Sequence, residues 1–235
     1  VGPERHGQSQ LTTAGLTAPA ILLEDLGVLV GAAQLLAKDA DASQFEALRT
    51  SVSAAFNAKF LKNGSYDRGS QTANALPLAL GLVPTAQRDQ VLAALVQSVT
   101  SAGNRVTAGD IGFVYVLRAL SAAGRGDVNF SLVKQAEGPG YLYQLAHGAT
   151  ALTEAWDANN ASSQNHAMLG HAEEWFYSGL GGLRPDPSAP GFEKFLVRPE
   201  PQPGLTSVDV EYHSVRGLIK SGWLQTPSGL ELHVT

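Results

Sequence analysis

Between Pro139 and Tyr177 the chain gathers Tyr141, Tyr143, Gln144, His147, Glu154, Trp156, Asp157, Asn165, His166, Glu173, Glu174 and Trp175. These are the groups a sugar-binding cleft uses. Hydroxyl-rich ligands need convergent hydrogen-bond donors and acceptors, aromatic faces for the C–H side of a pyranose ring, and a carboxylate able to act on the glycosidic bond. Each residue also has an ordinary alternative. Glu154 reads as part of a helix that starts after Gly148, and a solvated helix-surface glutamate is what most glutamates are. Trp156 and Trp175 could fill core volume, and Tyr141 and Tyr143 lie in a Gly/Pro-rich entry segment where aromatics with a polar tip line clefts. His166 follows Asn165, a natural cap for a helix starting there, and could simply pack. Asp110 reads first as the N-cap of a helix beginning at Ile111 and second as a ligand contact.

Several other chemistries find no support. The spacing HAMLGHAEE puts His166 and His171 five apart, not the four of a helical zinc-hydrolase motif. No glycine-rich fingerprint joins a strand to a helix, and no serine nucleophile elbow is visible. With 16 basic and 21 acidic residues, a net charge of -5 and no run of either sign, nothing marks a nucleic-acid or anionic-membrane surface. The absence of cysteine removes disulfides, thiolate metal sites and thiol nucleophiles and leaves the compartment open. No apolar run reads as long enough to span a bilayer, and VGPERHGQSQ lacks the basic-then-apolar order of a secretion signal.

The elements that must position these groups are mostly helices. Leu22, Leu26, Leu29, Ala33 and Leu36 form one apolar stripe, and Phe45, Leu48, Val52, Phe56 and Phe60 a second that ends before Asn63-Gly64. Further helices are predicted over Ser70 to Leu82, Ala86 to Ala102, Ile111 to Ala123, Val128 to Gln135, Ala149 to Trp156 and Ala167 to Leu180. Gln71, Asp110, Asp67 and Asp25 fall at or near the ends of those expected to face inward. After Gly182 the proline-rich runs RPDPSAPGF and RPEPQPG signal a change of structure. Strand-like alternation follows over Phe195 to Arg198, Leu205 to Tyr212, Leu218 to Leu224 and Leu230 to Val234, with Ser228-Gly229 as a turn. So short a sheet must lean on the helices or be part of a larger one. Antiparallel helix pairs joined by short loops suit a bundle, a solenoid or a toroid, and the lack of a repeated unit lowers the solenoid.

The motifs GATALTEAWD and SSQNHAMLGHAEEWFY resemble the C-terminal part of the catalytic domain of bacterial α-L-rhamnosidases. YDRGSQTANALPLALGLVP, RVTAGDIGFVYVLRALSAAGR and SGLGGLRPDPSAPGFEKFLVRPEP extend that resemblance over nearly the whole chain. It implies a mainly α fold: part of an (α/α)6 toroid over residues 1–182, then a short antiparallel portion of a β-sandwich over 183–235. It further implies hydrolysis of terminal α-L-rhamnose from glycosides or polysaccharides with inversion. Glu154 would be the general base, Trp156, His166, Tyr143, Tyr141 and Asp110 would contact substrate, and no cofactor or metal would be needed. The general acid is expected upstream of Val1, which would leave this stretch inactive alone. The partner would be a rhamnose-containing carbohydrate, with homo-oligomers forming through exposed helix faces. The alternatives are another α/α-toroid carbohydrate enzyme, such as an unsaturated glucuronyl hydrolase or polysaccharide lyase, and a non-catalytic helical binding domain.

Overall fold

The computed structural model describes residues 10–235, so the reading of the leading residues lies outside it. Helices α1 (Ala14–Leu35) and α2 (Asp39–Phe60) pack as an antiparallel pair, followed by a small hairpin of β1 (Leu61–Lys62) and β2 (Ser65–Tyr66). That hairpin was not anticipated. Asn63 and Gly64, at φ 50° and 75°, make the two-residue left-handed turn that such hairpins favour. Helices α3 (Gln71–Ala79), α4 (Arg88–Ser101), α5 (Asp110–Ala122) and α6 (Gly126–Val133) come next, then α7 (Tyr141–Ala146) and α8 (Ala172–Trp175). Contacts run α1 to α3 to α5 to α8 along one layer, while α2, α4 and α6 back their partners in a second. This is the arc of a partial α/α toroid.

Local chemistry explains the arc. Ser70 caps α3 by accepting the Ala73 N–H at 3.1 Å, satisfying one of the donors that a helix start leaves open. Gly112 lets α5 lie close against α3, because a Cβ there would come within 2.2 Å of Thr72 Oγ1. Between the layers, Leu16, Leu23, Phe56, Tyr66, Leu76, Leu95, Phe113 and Leu120 are buried in one core, and each such aliphatic or phenyl side chain contributes about 1.5–3 kcal/mol.

Five expectations need correction. The stripe on α1 is rotated: Leu16, Ala20, Leu23, Leu26 and Ala33 are buried, whereas Leu22, Leu29 and Leu36 are exposed. Too many apolar residues lie around this helix for spacing to choose a face. The same composition gives α1 22 residues and a mean hydropathy of 1.6, long and apolar enough to cross a bilayer, contrary to the expectation of no such run. It packs here as a toroid helix, with Glu24 bonded to Tyr115 of α5 at 2.8 Å. Residues Ala149 to Trp156 form no helix but irregular chain of bends and turns, and Ala167 to Leu180 is no single helix. It divides into a 3-10 turn (Ala167–Leu169), α8 and a π-helical turn (Phe176–Leu180). Asn165 makes no cap, because His166 holds the position before the 3-10 turn.

The helices end at a densely bonded joint. Strands β3 (Leu183–Pro185) and β4 (Phe195–Val197) pair with each other, and β5 (Ser207–Ser214), β6 (Gly217–Thr226) and β7 (Gly229–Val234) form an antiparallel sheet in that order. Five consecutive carbonyls at the end of the π-helical turn each accept a hydrogen bond from this part of the chain. Ser178 O takes Arg184 Nε at 2.7 Å and Gly179 O takes Glu200 N at 2.9 Å. Leu180 O takes Trp223 Nε1 at 2.7 Å, Gly181 O takes Ser221 Oγ at 2.7 Å, and Gly182 O takes Arg198 N at 2.8 Å. A helix end normally leaves its last carbonyls open, and here β3, β6 and the segment after β4 close these five.

Candidate active site

The site starts from a loop that a buried glutamine fixes in place. Gln71, at the start of α3 and 1 % exposed, donates from Nε2 to Arg105 O at 2.9 Å and accepts Thr107 N–H at 3.0 Å. Gln71 is therefore a scaffold residue. It holds the segment that delivers Asp110 as the first residue of α5, where Gly109 occupies the cap position assigned to Asp110 from sequence. Asp110 Oδ1 accepts the adjacent Ile111 N–H at 2.9 Å, and Oδ2 lies 3.4 Å from His166 Nε2. Asp67 is likewise occupied, accepting Thr13 N–H at 2.9 Å.

The irregular stretch 149–166 folds back on itself. Glu154 N–H donates to Ser163 O at 2.8 Å and His166 N–H to Leu152 O at 2.7 Å, so Glu154 and His166 sit on the two limbs of one loop. Glu154 Oε2 also accepts the Ser163 N–H at 3.0 Å. Its Oε1 has no protein partner among the described residues, and the side chain is exposed. A carboxylate held by one oxygen and open at the other can take a proton from a water molecule.

Trp156 anchors this loop to the toroid. Its Nε1 donates to Ala108 O at 2.8 Å, and its ring meets Phe113 and Tyr141 edge-on, each at 5.1 Å between centroids. Tyr141 donates its hydroxyl to Leu169 O, and burial pushes its pKa well above the phenol range. Tyr141 and Trp156 thus form one contacting pair and Asp110 and His166 another, with Glu154 on the loop that Trp156 anchors. Tyr143 of α7 stands apart, its ring stacked 3.8 Å between centroids on His147, the residue that follows the helix.

Sequence reasoning missed a second polar group on the same inner helices. Arg118 of α5 makes a bidentate pair with Glu174 of α8 at 2.7 and 2.9 Å. Tyr115 is pushed up to about 12 by burial and by its bond to Glu24. The signal available was a lone arginine in the apolar run FVYVLRAL. Between α5 and α8 lies a cavity of about 190 Å³, lined by Leu117, Arg118, Ser121, His171, Trp175 and Arg184 among others. His171 Nδ1 and Trp175 Nε1 are buried without a partner among the described residues.

Burial holds the His171 imidazole below its ordinary 6.5, with Asp110 and Glu174 opposing and Arg118 reinforcing the shift. The folded protein therefore binds fewer protons at this site than the unfolded chain in the window just below 6.5. Stability from this residue is present above that value and falls as pH drops through the window. An NMR titration of His171 is expected to show a midpoint under 6.5, and the denaturant midpoint should decline over the same range, less steeply in His171→Gln. A native midpoint at or above 6.5 would contradict the assigned burial effect.

Comparison with known proteins agrees with this architecture. The bacterial alpha-L-rhamnosidase 6 hairpin glycosidase domain is matched over residues 2–180, and the bacterial alpha-L-rhamnosidase C-terminal domain over 182–235. An α-L-rhamnosidase of Alteromonas sp. (strain LOR) is 28% identical over 207 residues, which cover 83% of this chain and 22% of that protein. The crystal structure of native α-L-rhamnosidase from Aspergillus terreus superposes with a TM-score of 0.88 at 25% identity, covering 96% of this chain and 27% of that one. The Streptomyces avermitilis α-L-rhamnosidase, crystallised with L-rhamnose, gives 0.89 at 26% identity, covering 95% of this chain and 22% of that one. The chain spans about a fifth to a quarter of the length of the curated relatives it matches.

Proposed function

The chain belongs to the bacterial α-L-rhamnosidase six-hairpin glycosidase family, and from that membership we propose that it carries the water-activating half of a site that hydrolyses terminal α-L-rhamnosides with inversion. The observation that carries this reading is the state of Glu154, tethered through Oε2 to Ser163 N–H and open at Oε1. A water between Oε1 and the anomeric carbon gives up its proton to Glu154 as its oxygen attacks from the face opposite the leaving group. The leaving oxygen is protonated by a carboxylic acid across the sugar, roughly 6.5–9.5 Å from the base so that the water fits. We assign that acid to the part of the relatives' length that these 235 residues do not span, so that this stretch alone does not turn the substrate over.

The neighbouring groups take roles that their bonding permits. His166, beside Asp110, offers donor and acceptor capacity suited to a vicinal diol, and Asp110 adds carboxylate acceptors. Trp156 has already committed its N–H to Ala108 O and Tyr141 its hydroxyl to Leu169 O, so both contribute ring surface to the sugar's C–H side. Tyr143 is assigned an outer contact with the remainder of the glycoside. The substrate is accordingly a rhamnose-containing carbohydrate.

A panel of aryl glycosides offered to the intact enzyme that contains these residues tests the substrate class, with turnover expected for α-L-rhamnosides alone. Proton NMR of the first-formed sugar is expected to show the β anomer. Early appearance of the α anomer would exclude single displacement and with it this role for Glu154.

A further inference from the structure

We infer that Gln144 is a positioning residue that sets the location of Glu154 by gripping the peptide immediately before it. This rests on the assignment of Glu154 as the base. Gln144 lies on α7 and is 2 % exposed, an unusual place for an uncharged polar side chain unless its amide is paired. The pairing is with one residue: Thr153 N–H donates to Gln144 Oε1 and Gln144 Nε2 donates to Thr153 O, both at 3.4 Å. A primary amide presents donor and acceptor side by side, the complement of a single residue's backbone N–H and C=O.

Thr153 is itself 1 % exposed and has its hydroxyl tied to Ala155 O at 2.7 Å. The next residue, Glu154, donates its N–H to Ser163 O at 2.8 Å. The chain at 153 and 154 is therefore held by α7 on one side and by the returning limb of the loop on the other. The segment has no helix or sheet ladder of its own to fix it. Gln144 supplies a link from regular structure to this stretch, and α7 is anchored in turn through Tyr141 to Leu169 O and to the Trp156 ring. Losing the amide would leave the Thr153 N–H and C=O buried and unpaired, and the loop would move to solvate them.

A catalytic group displaced by about an ångström can lose on the order of a hundredfold in rate. In the intact enzyme, Gln144→Met is expected to lower kcat by about 10- to 100-fold with KM little changed, because Gln144 is not placed against substrate. Gln144→Glu retains the shape and, when protonated, the same donor and acceptor. Its kcat relative to the unmodified enzyme is expected to be highest at the acid end of the profile and to fall as the buried carboxyl ionises.

Placing Gln144→Met in a Glu154→Gln background separates positioning from general damage. If Gln144 acts through Glu154, the double variant turns over no more slowly than Glu154→Gln alone. The inference is overturned if Gln144→Met keeps full kcat, if the Gln144→Glu ratio is flat with pH, or if the two substitutions multiply. The outcome in which Glu154→Gln itself remains active removes the assignment of the base. By contrast, an inactive Glu154→Gln beside a fully active Gln144→Met removes the positioning role alone.

Discussion

Glu154→Gln in the intact enzyme is expected to lower turnover of an aryl α-L-rhamnoside by about 10²- to 10⁴-fold while leaving KM close to its original value. Glutamine keeps the shape of the side chain and an oxygen to accept the Ser163 N–H that holds Oε2 at 3.0 Å. What it lacks is the basicity to take a proton from water at the moment of attack. The loss therefore belongs to the chemical step, and binding of rhamnose by calorimetry should survive it. A variant that retains most of its kcat, or one that loses rhamnose binding in parallel with kcat, would show that Glu154 does something other than accept that proton.

The largest effect on stability is expected from Trp223→Ala. Trp223 is 1 % exposed on β6, and its Nε1 donates to Leu180 O at 2.7 Å across the joint between strands and helices. Truncation removes a large buried ring and leaves a carbonyl unpaired, costing about 3–5 kcal/mol. For a chain of this size each kcal/mol moves Tm by about 2–4 °C, so a fall on the order of 10 °C is anticipated. Trp223→Phe restores most of the ring but not the donor and should lose about 1–3 kcal/mol. Thermal melts showing both variants within 1 °C of the parent would mean the joint adds little.

The helical series, its order and the change to antiparallel strands after Gly182 were legible because they rest on spacing and on glycine and proline punctuation. The C-terminal strands were readable for the same reason, and the turn linking β6 to β7 falls at Pro227-Ser228, one residue before the expected Ser228-Gly229. The face of α1 was not, because alanine, leucine and valine surround the helix and only the neighbouring helices decide which of them are covered. The segment 149–156 was misread as a helix since ALTEAW has good helix formers. The bonds that override this propensity come from Ser163, Gln144 and Ala108, all distant from the segment or on its far limb. Tyr141, Trp156, Asp110 and His166 could be singled out from sequence only as candidates, by residue type and motif. The packing of Tyr141 on Trp156 and of Asp110 against His166 was not legible, since it depends on contacts between distant segments.

The five bonded carbonyls at residues 178–182 bear on what counts as a separable piece of this protein. Their partners, Arg184, Arg198, Glu200, Ser221 and Trp223, are scattered over forty positions of the strand region yet together act as the terminal cap of one helical segment. That segment follows directly from α8, whose Glu174 is paired with Arg118 of the toroid. A recombination point placed in the glycine-rich stretch at 179–182 would look natural in the sequence and would sever a cap from the helix it closes. The heritable unit for exchange between relatives is consequently the helices together with the strands through Trp223, because the position of the last helical segment is written partly in residues of the strand region.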